Sequence, residues 1–216
     1  MITTVINKLI MYIAVCGLLP LVIKKTLLNK LDKKVSEFLN LIIITILNIA
    51  YIHHLTTVYN VKLYNNITLK NILISITCSI LFFILLDKNL DPFLDKLFVS
   101  SAAKYNKNIE ELFQHPVIMF IRVCLVAPIV EEVLIRGFVL DSLMNSYTTI
   151  IALVISTILF AILHFNFVQT LSAMICGFIL GLIYIMTGSL FCCVLTHSLY
   201  NTISYISLAS TIKINA

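Results

Sequence analysis

The chain has 216 residues, of which 60% are hydrophobic and 12% charged; a soluble domain needs a solvated surface and carries about 25% charged residues, so that class is excluded. The formal net charge of +5 sits on lysines at the ends of apolar runs, which argues for the asymmetry that orients membrane spans and against nucleic acid as a partner. Those runs are continuous over about 20 residues rather than alternating, which excludes an outer-membrane barrel.

The pattern predicts an all-α, polytopic transmembrane helical bundle of about seven spans, at residues 7–24, 37–58, 69–87, 117–144, 147–165, 168–187 and 189–210. The first run, Leu9 to Ile23, reads as a membrane helix and not as a cleaved signal segment. It lacks a small-x-small cleavage site, and Lys24, Lys25, Lys30, Lys33 and Lys34 follow it in a stop-transfer cluster. His53 and His54 lie near the end of the second span, next to no acid, and read as interfacial. Spans one to three contain no interior acid and look like scaffold.

The stretch from Asp87 to Pro116 is the one non-membrane segment of size. Asp91-Pro92 reads as a helix start, and Phe93, Leu94, Leu97 and Phe98 fall at helical spacing. This fits either a short amphipathic helix at the interface or, the preferred reading, a plain connector with anchoring aromatics. His115 lies in this loop and is given no function. With the Lys24–Lys34 loop in the cytoplasm, this connector and the C-terminus are cytoplasmic as well. The inner side then holds ten lysines, Lys24, Lys25, Lys30, Lys33, Lys34, Lys88, Lys96, Lys104, Lys107 and Lys213, against Lys8, Lys62 and Lys70 outside.

The fourth span carries Glu131, Glu132 and Arg136 inside an otherwise apolar stretch. Each charge near a helix centre costs about 2.5–3.5 kcal/mol on insertion scales, so these groups must pair, face water or do chemistry. Glu132 and Arg136 are i, i+4 and share a face, where they can pair. Glu131 points elsewhere, is left without a local partner and suits general acid–base work at a cavity. Pro128 is expected to kink or loosen the helix beside it. Asp141, further along, reads as a solvated terminus.

The fifth span places Phe160 and His164 at i, i+4, with the ring as a wall for the imidazole. The seventh places His197 and Asn201 on one face, with donors suited to a developing oxyanion. In the sixth, Gly177 and Gly181 form a G-x-x-x-G pair expected to draw the last helices together. The six cysteines (Cys16, Cys78, Cys124, Cys176, Cys192 and Cys193) show no C-x-x-C and read as buried apolar residues. Residues 1–116 are therefore expected to form a membrane scaffold with its connector, and 117–210 a catalytic four-helix core, within a single integrated domain.

E-E-x-x-x-R at Glu131–Arg136, F-x-x-x-H at Phe160–His164 and H-x-x-x-N at His197–Asn201 occur in that order on successive apolar helices. This set resembles the CPBP intramembrane proteases, a family that includes the CAAX prenyl endopeptidases of the Ras-converting type and the bacterial abortive-infection-like proteins. The resemblance covers about residues 117–205. It implies that Glu131 and His164 activate a water for attack on a peptide carbonyl, that His197 and Asn201 stabilise the oxyanion, and that Glu132, Arg136 and Phe160 organise the site. The family is often named a metalloprotease family. A glutamate-activated water without an obligatory metal is the preferred reading; zinc or another divalent metal held by Glu131, His164 and His197 is the alternative. No helix offers two His ligands in the H-E-x-x-H pattern.

The expected partners are a hydrophobic peptide or membrane-protein substrate and the lipid bilayer, at a bacterial cell membrane that the chain crosses several times. The Ile-, Asn- and Lys-rich composition fits an A·T-biased bacterial genome, where a hydrophobic peptide such as a signalling or bacteriocin precursor is a better substrate than a prenylated protein. Two other classes remain: a non-enzymatic bacteriocin-immunity or peptide-binding membrane protein, and a small proton-coupled transporter, for which no repeated halves are visible.

Overall fold

The computed structural model describes residues 1–214 and, among them, eight helices and no strand. They are α1 (Ile2–Thr26), α2 (Lys33–Tyr59), α3 (Leu69–Leu97), α4 (Val99–Phe113), α5 (116–144), α6 (Thr149–Ile162), α7 (Phe167–Thr187) and α8 (Leu190–Ile214). The side chain of Lys213, counted above with the inner lysines, lies outside the described part. Short polar side chains set four of the starts. Asp32 accepts from the Lys34 and Val35 amides, Thr68 from Asn71, Thr148 from Ile151 and Asn166 from Gln169, each filling donors that a first turn leaves open. Asn60 and Gly188 close α2 and α7 in the left-handed conformation, at φ 55° and 60°.

By length and composition α1, α2, α3 and α7 can each cross a membrane. α5 has the length, but Arg122, Glu131, Glu132, Arg136 and Asp141 interrupt its apolar run. α6 has the composition but only 14 residues, about 21 Å of helix.

Wide, π-type turns precede three of the four prolines: Ile13–Leu18 before Pro20, Phe83–Leu90 before Pro92 and Ile121–Val126 before Pro128. A proline has no N–H to give and its ring crowds the carbonyl one turn back; widening that turn makes room without ending the helix. The loosening expected at Pro128 therefore takes this form. At Pro92 it corrects the sequence reading. Asp91-Pro92 does not start a new helix in a connector but lies inside α3, which runs on to Leu97. The rest of the connector is α4.

α5 occupies the centre. Val133 to Leu140 are buried without exception, as a helix apolar on every side must be. Around it pack Val5 and Leu9 of α1, Tyr51 and Leu55 of α2, Ala152 and Phe160 of α6, Ala173 of α7 and Leu190 of α8. A second core joins Phe82 and Leu86 of α3 to Cys176, Leu180 and Ile183 of α7 and Cys192 and Cys193 of α8. All six cysteines are free, and five of them are buried. A Cβ added at Gly177 would stand 2.7 Å from Phe160 Cδ1, and one at Gly181 would collide with Leu153. The glycine pair thus lets α7 close onto α6, the preceding helix, rather than drawing the last helices together.

Candidate active site

α5 passes through the middle of the bundle with Glu131 and Glu132 between two wide turns, Ile121–Val126 and Val133–Leu140. Successive side chains on a helix diverge by about 100°, and the two carboxylates have different surroundings. Glu131 lines a cavity of about 530 Å³ and takes part in no ion pair among the described residues. His164, His197, Asn201 and Phe160 line the same cavity. Glu132 and Arg136 lie behind it, 0% and 1% exposed.

Those two anchor a polar network in the core through Glu132 Oε1, while Glu132 Oε2 is buried without a partner. Arg136 donates from Nη1 to Glu132 Oε1 at 3.0 Å and from Nη2 to the Gly177 carbonyl at 2.9 Å. Its guanidinium lies 4.5 Å from the centroid of the Phe160 ring. Glu132 Oε1 also accepts from His197 Nδ1 at 2.9 Å. A lone charge at this depth would cost several kcal/mol; paired and hydrogen-bonded, the two are tolerable. The Phe160 ring in turn meets His164 edge-on at 5.0 Å and His197 at 6.0 Å.

The network orients both imidazoles. His197 Nδ1 faces a carboxylate, so it carries the hydrogen and leaves Nε2 for the cavity. His164 Nδ1 lies 3.2 Å from the Phe160 carbonyl, a group that only accepts, so its Nε2 presents a lone pair. His164 stands not within the fifth span but on the turn after α6, which ends at Ile162. Phe165 follows at φ 53°, and Asn166 caps α7. Asn201 donates from Nδ2 to the Val123 carbonyl at 2.9 Å. Val123 lies in the wide turn Ile121–Val126, where the regular helical bonding is loosened. One of the two amide hydrogens expected to meet substrate is thus committed to tying α8 to α5.

The four helices that bring these motifs together also bear the family signature. Residues 113–203 match the type II CAAX prenyl endopeptidase family, Rce1-like. The family is one of membrane-embedded, CAAX-type proteases, as the resemblance of the three motifs implied. No curated protein and no solved structure matches the chain.

The cavity also holds residues from outside the Rce1-like region. Asp87, Asp91 and Asp95 of α3 and Tyr105 of α4 line it, facing Arg122 of α5, Gln169 and Ser172 of α7 and Tyr200 of α8. The Tyr200 hydroxyl donates to Asp87 Oδ1 at 2.8 Å, and the Ser172 hydroxyl donates to Asp91. The Tyr105 phenol, outside the spans, is pushed up to about 12 by its burial and then by the charges of Asp91, Asp87 and Asp95. The third helix is therefore not bare scaffold. A signal is present in the sequence, since Asp87, Asp91 and Asp95 recur at i, i+4, i+8, but Pro92, which reads as a helix boundary, masks it. His54 lies away from the cavity and pairs with Lys8 at 2.9 Å. Asp141 is exposed and accepts from the Tyr184 hydroxyl at 3.4 Å.

Among the described residues no three His, Cys, Asp or Glu side chains are grouped as a metal ion requires. Glu131, His164 and His197 share the cavity without closing into such a set.

Proposed function

We propose that the chain is an intramembrane endopeptidase that hydrolyses a hydrophobic or membrane-associated peptide with a water activated by Glu131 and His164. The observation that carries this reading is the meeting, in one cavity, of an unpaired carboxylate, two imidazoles with Nε2 free and the Asn201 amide. The water gives one hydrogen bond to the Glu131 carboxylate and one to His164 Nε2. Its oxygen then bonds to the scissile carbonyl carbon as Glu131 takes the proton, a general-base contribution of about 10²–10⁴. The remaining Asn201 N–H donates to the developing oxyanion, with the His197 ring held beside it by Glu132; one such donor is worth about 10²–10³ in rate. As the tetrahedral adduct collapses, the C–N bond breaks and Glu131 passes its proton to the leaving amine. No step requires a metal in this scheme.

We place the chain in a bacterial cell membrane, with an apolar peptide rather than a prenylated protein as substrate. The test is a mass-spectrometric comparison of small membrane and secreted peptides from cells that lack the chain, carry it as wild type, or carry Glu131→Gln. A cleaved peptide found only with wild type supports the reading and names substrate and cut site together. Identical pools in all three, with the chain present in the membrane, would overturn it in favour of the peptide-binding or immunity class.

A further inference from the structure

The cavity is a long cleft rather than a pocket around four residues. Its lining on α8 runs from His197 to Thr211, about 21 Å of helix. On α5 it runs from Met119 to Glu131, and on α3 from Leu86 to Asp95. Glu131, Phe160, Cys176 and His197 mark one end; Asp95, Tyr105, Ile109 and Thr211 mark the other, beside α4. A peptide held extended at about 3.3 Å per residue would lay some five or six residues between the reacting bond and the mouth.

The lining carries four acids, Asp87, Asp91, Asp95 and Glu131, and two bases, Lys88 and Arg122, an excess of two negative charges. None of the six takes part in an ion pair among the described residues. An excess of one sign in a cleft between apolar helices focuses the field and draws the opposite charge. The three aspartates stand one above another along α3, about 6 Å apart per turn. They do not converge as a metal ion needs, and that spread suits a cationic side chain carried on an extended chain. Hydroxyl donors of Tyr200 and Ser172 hold Asp87 and Asp91 in place. Asp87 thereby sits about one turn beyond His197, and Asp91 and Asp95 follow at about 11 and 17 Å from it.

Building on the peptidase reading, we infer that the cleft selects peptides carrying a lysine or arginine about three to five residues from the scissile bond, on the side that leads to the mouth. Asp91 and Asp95 are the specificity-determining residues.

The test uses the full chain in lipid nanodiscs and a series of apolar peptides. Each places one Lys, Ala or Glu at successive positions on either side of the cleavable segment. Cleavage is read with wild type, and binding is read separately by fluorescence anisotropy with Glu131→Gln. Lys peptides of the right spacing should exceed Glu peptides about tenfold or more in both readouts. Asp91→Asn with Asp95→Asn should lower that ratio about tenfold, through KM. Asp95→Lys should favour Glu peptides, a gain that misfolding cannot produce. Cleavage or binding indifferent to charge, a ratio unmoved in both variants, or no binding of any peptide would overturn the inference. Selective binding of Lys peptides without cleavage would sustain it while removing the peptidase reading.

Discussion

Glu131 and Glu132 are chemically identical neighbours whose roles are set by what stands opposite each. For Glu131 that is open cavity, and Glu131→Gln should lower kcat/KM by about 10²–10⁴ while leaving the folded chain in the membrane. Single-turnover assays beside a thermal melt check both halves. For Glu132 it is Arg136 and His197. Glu132→Leu strands a buried guanidinium and should cost about 3–5 kcal/mol. Glu132→Leu combined with Arg136→Met removes both charges and should melt closer to wild type than the single variant, yet stay inactive because His197 has lost its anchor. A double variant less stable than the single one would mean that the pair is net stabilising. The spacing of Glu132 and Arg136 was legible in the sequence because helical period encodes it. The bond to His197 was not, because it joins residues 65 apart and no local period carries it.

Wide, π-type turns inside long helices account for what the element-level reading missed. A proline such as Pro92 reads as a helix boundary; the wide turn before it lets α3 continue and deliver three aspartates to the cleft. The glycine pair of α7 was legible as a close-approach motif, but which helix it admits depends on tertiary packing. The two kinds of glycine here give a contrast. Gly177 has Phe160 against it, whereas Gly17 has nothing within 4 Å. Gly177→Ala must displace the ring that lies under Arg136 and against both histidines, so it should destabilise by about 1–3 kcal/mol and lower kcat together with the melting temperature. Gly17→Ala fills open space in a helix and should be neutral or stabilise by up to about 1 kcal/mol. Equal effects at the two sites would show that the α6–α7 contact is slack.

For the whole molecule, composition alone settled the class, and the all-α bundle follows from runs of apolar residues at membrane length. The balance of charge goes further and sets a direction. Lysines cluster on the Lys24–Lys34 loop and along the α3–α4 stretch that frames the cleft mouth, while Lys8 near the start of α1, Lys62 in the α2–α3 loop and Lys70 at the start of α3 lie on the opposite side. The positive-inside bias predicts that the mouth faces the cytoplasm. Lys62 and Lys107 are both exposed, and five of the six native cysteines are buried, so a cysteine introduced at either lysine can be read against a low background. In intact cells a membrane-impermeant maleimide should label Lys62→Cys directly and Lys107→Cys only after permeabilisation. The reverse pattern would invert the topology. The direction matters for chemistry as well as topology: an acidic mouth on the cytoplasmic side meets the same lysine- and arginine-rich flanks that the positive-inside rule places at the inner ends of membrane segments. With the mouth outside, such flanks would be scarce, and selection for cationic residues would have to act on secreted peptides instead.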